Sequence, residues 1–128
     1  MAKLIVVSSP LRGNYTYNLK KAAEVCRKLI EKDYAPMATH LFYMKAKLLN
    51  DRIDSHRKKG ILHTFEWMKA VDRVIFITKE DGTLSEGCKA ELEFAKKNCI
   101  PYVVISWELD DFDTAIEELE EQVETWKA

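Results

Sequence analysis

A chain of 128 residues is long enough for one domain with a real core and too short for two ordinary ones, so a single domain over residues 1–128 is expected. Apolar residues at 47% and charged residues at 32% exclude both a disordered and a membrane-embedded chain. A net charge of −1 supplies no general attraction to nucleic acid or anionic lipid, so neither is expected as a partner. No apolar run approaches the roughly 18–20 residues needed to span a bilayer, and no signal-like apolar stretch opens the chain. Cys26, Cys88 and Cys99 form no CxxC pair and no metal-like spacing with histidine; reduced thiols, no metal site and a cytoplasmic location are expected.

Leu4-Ile5-Val6-Val7-Ser8 is a short, continuously apolar run that suits a strand buried on both faces. The turn-forming loop Ser9-Pro10-Leu11-Arg12-Gly13-Asn14 follows. Helical periodicity then runs from Tyr15 to Lys32, with Leu19, Ala22, Ala23, Cys26, Leu29 and Ile30 on one face. Ala35 to Thr39 reads as a short second strand, although Pro36 counts against it. His40 to Asp54 has no single period and reads as a loop with helical pieces. From Ser55 to Val71 a helix is expected, with Ile61, Leu62, Phe65, Met68 and Ala70 inward. Arg73 to Ile77 is a third strand and Ile100 to Ser106 a fourth, carrying Pro101 where a missing N–H costs least. The last helix runs from Asp111 to Lys127, with Phe112, Ala115, Ile116, Leu119, Val123 and Trp126 inward. Its run of Glu117, Glu118, Glu120, Glu121 and Glu124 reads as a solvated face.

Buried strands alternating with helices predict a flavodoxin-like (Rossmann-like) three-layer α/β/α sandwich with a mostly parallel four- to five-stranded sheet. In that layout the loops after the first and third strands open at the same sheet edge. The first, from Ser8 to Asn14, could cradle a phosphate with backbone N–H groups, hydroxyls and Arg12, or could be a plain turn with a surface arginine. The second leads from Thr78 into Ser85-Glu86-Gly87-Cys88-Lys89-Ala90-Glu91. Ser85 suits a helix N-cap there. One turn further on, Glu91 shares an apolar stripe with Cys88, Leu92 and Ala95, and Gly87 beneath it has no side chain to block the carboxylate. A carboxylate so placed either snorkels to the edge or is buried for a purpose.

Lys3 to Gly13 together with Ser85-x-Gly87-x-x-x-Glu91 resembles the nucleoside 2-deoxyribosyltransferase superfamily. That group includes 2′-deoxynucleoside 5′-phosphate N-hydrolases, and the resemblance is nearest to its small phage and bacterial members. Pro36-x-x-Thr39-His40-Leu41, Arg57-x-x-Gly60 and Asp72-Arg73-Val74-Ile75-Phe76 resemble further segments of it, so the likeness runs from Lys3 to about Ser106. The resemblance implies that Glu91 is the catalytic carboxylate, attacking C1′ of the sugar. It implies that Ser9, Arg12, Gly13, Ser85 and Gly87 hold the 5′-phosphate, with His40, Tyr15 and Tyr43 as further substrate contacts. It implies a small-molecule nucleotide as substrate, no cofactor, and a homodimer or larger homo-oligomer, because such enzymes commonly complete the pocket from a neighbouring subunit. Two positions depart from the family pattern: Val6-Val7 stands where a first-strand tyrosine orients the glutamate, and Thr64 stands near the acidic helper. A non-catalytic nucleotide binder on the same fold is therefore the alternative, and a small FMN-binding flavodoxin a third reading from the fold alone.

Overall fold

In the computed structural model residues 2–127 are described, and side chains as far as residue 125. The inward placement expected of Trp126 lies outside the side chains described. Four strands alternate with four α-helices: β1 (Lys3–Ser8), α1 (Tyr15–Glu31), β2 (Tyr34–Ala38), α2 (Asp54–Lys69), β3 (Val74–Ile77), α3 (Glu86–Lys97), β4 (Tyr102–Ile105) and α4 (Phe112–Lys127). A π-helical turn, His40–Lys45, lies between β2 and α2.

The sheet is wholly parallel, in the order β2-β1-β3-β4. Pro36 sits opposite Ile5 on the edge strand β2, where its missing N–H breaks no inner ladder. Successive side chains of a strand point to opposite faces, and the core divides accordingly. Ile5, Val7, Ile75 and Ile77 pack against Val25 and Leu29 of α1 and Phe112, Ile116 and Leu119 of α4. Val6, Val74 and Phe76 pack against Met68 of α2 and Cys88 and Ala95 of α3. Helices α1 and α4 thus cover one face and α2 and α3 the other, which is the three-layer α/β/α sandwich expected.

Three expectations about faces need correcting. On α1 Leu19, Ala22 and Leu29 are buried as expected, but Asn18 and Val25 are buried with them and Ile30 points out. On α2 the buried residues are Gly60, Thr64 and Met68, spaced four apart, while Leu62 is 60% exposed and Ala70 is also outside. Met68 is inward as expected; Gly60 and Thr64 are small or polar because they face a cavity, so apolar spacing misses them. On α4, Glu117, Glu118, Glu121 and Glu124 are exposed, but Glu120 turns inward onto Arg73, Tyr34 and Lys3.

No described helix is long and apolar enough to cross a membrane. The connection reverses direction between β1, whose helix leads to β2, and β3, whose helix leads to β4. The crevice outside the carboxyl ends of β1 and β3 is where this topology places a ligand.

Candidate functional site

That crevice holds a cavity of about 460 Å³, within the ~300–1,000 Å³ usual for small-molecule sites. Its walls come from the β1–α1 loop, the π-helical turn, α2 and the start of α3. Glu91, Arg12, Gly13, Ser85, Gly87, His40 and Tyr43, all expected at the site, line it. Ser9 does not: it is buried, and its backbone bonds the His40 ring. Tyr15 lines a neighbouring groove instead.

Helix α3 aims the central carboxylate. Ser85 takes an extended backbone and its Oγ accepts from Cys88 N at 3.2 Å, so the expected N-cap is made. Two turns of helix then place Glu91 on the buried face, 5% exposed, with Cys88 and Ala95. A Cβ built on Gly87 would meet nothing within 4 Å, so the glycine leaves room in the cavity rather than relieving a clash. Among the described residues no cation pairs with Glu91. Its hydrogen-bond donor is Ser8 at the end of β1, with Ser8 Oγ 2.6 Å from Glu91 Oε1. Burial pushes the Glu91 carboxyl up to about 7, and the Ser8 hydrogen bond holds the rise in check.

Ser8 was expected among the phosphate-cradling hydroxyls, but it faces Glu91. It stands one residue beyond the Val6-Val7 pair and supplies the orienting hydrogen bond that an oxygen on this strand can give. The buried Cys88 thiol, 3.3 Å from the same hydroxyl, is pushed up to about 11 by burial and by the Glu91 charge, so it stays protonated. Of the two candidate nucleophiles, the carboxylate is the one that ionises near neutral pH.

Across the cavity the β1–α1 loop is fixed by Asn18, which donates to the carbonyls of Leu11 at 2.9 Å and Arg12 at 3.2 Å. Gly13 takes φ +95, a conformation other residues adopt at a cost, so the turn needs it. Arg12 is oriented by a carboxylate and stays more than half exposed. Its Nε donates to Asp51 Oδ2 at 3.2 Å and its Nη2 to the Asp51 carbonyl at 3.3 Å. Arg57 reaches the other oxygen of the same carboxylate at 3.7 Å. Asp51 therefore spaces two guanidinium groups at the cavity wall, a role that the aperiodic His40–Asp54 stretch gave no sign of.

His40 Nδ1 is buried and bonded to nothing among the described residues. Burial lowers the His40 pKa to about 4 against the opposing pull of Asp51 and the Ser9 backbone, so the ring is neutral at pH 7. Tyr43 presents its ring to the cavity, since its hydroxyl accepts from Trp67 Nε1 at 3.1 Å and pairs with His63 at 3.1 Å. Thr64 is likewise engaged: its Oγ1 bonds Thr39 Oγ1 at 2.8 Å and donates to the Gly60 carbonyl at 2.9 Å. Among the described residues no group of three or more His, Cys, Asp or Glu is placed to share a metal ion.

A family model described as a domain of unknown function (DUF7768) matches residues 3–105, from the first strand to the end of the last. Neither the curated proteins nor the solved structures give a match.

Proposed function

The chain belongs to the DUF7768 family, and we propose that it breaks the N-glycosidic bond of a (deoxy)nucleoside 5′-monophosphate with Glu91 as nucleophile. The observation that carries this reading is the isolated carboxylate: Glu91 is buried, bonded by Ser8 and unpaired with any described cation, yet it opens onto a cavity of nucleotide size. Structural glutamates in a core are paired; one left unpaired at a ligand cavity is a candidate for chemistry.

In the proposed reaction Glu91 attacks C1′ of the sugar. The C1′–N bond breaks, its electron pair leaves with the base, and a glycosyl ester forms on the carboxylate. Water, or a second base, then attacks C1′ and restores the free glutamate. The transition state carries oxocarbenium charge, which a carboxylate in a water-poor pocket stabilises more strongly than one in solvent. The 5′-phosphate lies by Arg12, Gly13 and the N-terminus of α3, where N–H groups and helix dipole favour an anion. The unpartnered Nδ1 of neutral His40 is available to a hydroxyl or a base edge.

A second reading, nucleotide binding without turnover, has one observation in its favour. Thr64, near the position of the acidic helper, has its hydroxyl fully engaged with Thr39 and Gly60, so no acid at that point assists the leaving base. Incubation with a panel of deoxynucleoside 5′-monophosphates, followed by chromatography of free base, separates the two. Base release that disappears in Glu91→Gln supports the enzyme. Ligand-dependent thermal stabilisation with no base released leaves a binder.

The proposal extends to a homodimer or larger homo-oligomer. Phe42, Leu62 and Trp67 form exposed apolar surface on the π-helical turn and α2, the elements that wall the cavity. Sedimentation velocity should show a species above 14.9 kDa; a monomer at all concentrations would remove this part.

A further inference from the structure

A second groove, of about 900 Å³, lies outside the first cavity and shares Arg12, Gly13, Met44 and Asp51 with it. Two of the shared residues, Arg12 and Gly13, are those placed at the nucleotide's 5′ end, so the phosphate position is a junction between two spaces and not the closed end of one. The charges differ across that junction. In the inner cavity each cation already has a carboxylate: Arg12 and Arg57 have Asp51, Lys79 has Asp81, and Lys89 has Glu86. In the outer groove Lys47 and Arg52 line the wall, and neither forms an ion pair among the described residues.

The rest of the outer lining is suited to a nucleoside. Tyr15 is 42% exposed and Leu48 57% exposed, which offers an aromatic and an apolar surface in water. His56 Nδ1 accepts from the Asn50 backbone at 2.9 Å, which leaves Nε2 as the donor the ring can offer a ligand.

We propose that the ligand continues past the 5′-phosphate: it is a dinucleotide-type molecule whose two nucleosides are joined through a 5′,5′-diphosphate. One nucleoside occupies the Glu91 cavity, the diphosphate crosses at Arg12 and Gly13 towards Lys47 and Arg52, and the second nucleoside lies on Tyr15 and Leu48. This rests on the nucleotide reading of the inner cavity and names its substrate class. A monophosphate would leave the two unpaired cations and the exposed aromatic without a function.

The test is calorimetric titration of Glu91→Gln, which keeps the ligand intact. The probes are the 5′-monophosphates of the four common deoxynucleosides and the matching symmetric dinucleoside 5′,5′-diphosphates. For the preferred base the dinucleotide is expected to bind at least about tenfold more tightly, the scale of one charge-assisted hydrogen bond. The ratio of the two affinities should fall to about one in the double variant Lys47→Ala/Arg52→Ala. A dinucleotide that binds no better than its monophosphate, or an advantage that survives the double variant, overturns the inference. If the monophosphates bind and wild type cleaves them, that result leaves the Glu91 reading standing; if neither class binds, both fall.

Discussion

Two inward-facing glutamates stand at opposite edges of the same sheet, and their surroundings differ in kind. Glu120, on α4 at the amino edge, receives both Nε and Nη2 of Arg73 at 2.8 and 3.0 Å, the Tyr34 hydroxyl, and Lys3 at 3.3 Å. The Arg73 hydrogen bond, with help from Tyr34 and Lys3, holds its carboxyl down at about 2. Glu91, at the carboxyl edge, has one hydroxyl and, among the described residues, no cation, and burial holds it up at about 7. Each lies on the buried side of an amphipathic helix. The difference comes from what the adjacent strands supply: Arg73 immediately precedes β3 at one edge, while β1 ends with Ser8 at the other. The amino edge of this fold spends its polar groups on holding α4 to the sheet, and the carboxyl edge leaves a carboxylate without a described cation beside a cavity.

The sharpest way to break the comparison is to neutralise each acid in turn. Glu91→Gln is expected to lower base release from a nucleotide by about a thousandfold or more, the scale of losing a covalent nucleophile, while nucleotide affinity stays near wild type. Base release is read by chromatography and affinity by calorimetry. Glu120→Ala should do the reverse. It removes two of the hydrogen bonds to the nearly buried Arg73, which keeps Asp72 as a partner, and should cost about 2 kcal/mol, below the range for leaving a buried charge wholly unpaired, with ligand affinity unchanged; urea melts and calorimetry read the two effects.

The same contrast has a pH signature. The Glu91 carboxyl is raised in the fold, so its protonated form stabilises the protein at low pH. That contribution fades as pH rises from about 4.5 to about 7, leaving the fold about 3 kcal/mol less stable in this respect at 1.36 kcal/mol per pKa unit. Glu91→Gln should therefore melt several degrees above wild type at pH 8, with the gap closing towards pH 5. Glu120 is depressed in the fold, so its contribution is present above about 4.5 and lost as pH falls towards 2. A Glu91→Gln melting curve that tracks wild type at every pH would mean the carboxylate is solvated, contrary to its burial.

The smallest expected effect is also diagnostic. Gly87→Ala meets open space and gains helix propensity, so stability should rise by up to about 1 kcal/mol while nucleotide affinity falls, because the methyl group enters the cavity. Unchanged affinity in that variant would move the ligand away from α3.

The parts of this molecule readable from sequence are those where one physical signal dominates. The short apolar runs at Leu4–Val7 and Val74–Ile77 marked buried strands, and Glu91 stood out because its stripe was otherwise apolar. Where signals compete, the reading failed. The cavity-facing residues of α2 include Gly60 and Thr64, which carry no hydrophobic signal, so hydrophobic spacing found Met68 but also chose the exposed Leu62. The π-helical turn at His40–Lys45 departs from the 3.6-residue period, and Asp51 follows it in a stretch with no period at all. Ser8 was legible as the end of the first strand, but its bond to Glu91 appears only when α3 packs across β1. Glu120 was hidden in an acidic run, and only the fold brings Arg73 to it.

The central claim is that Glu91 acts as an ionised nucleophile although burial resists its ionisation. The pH dependence of kcat/KM for base release tests it most directly, since that parameter reports the free protein's titrating groups. The account predicts a rate that is low at pH 5, climbs through a midpoint near 7 and levels off above 8. A rate that falls through that same range would contradict it, and would mean that Glu91 works as a proton donor.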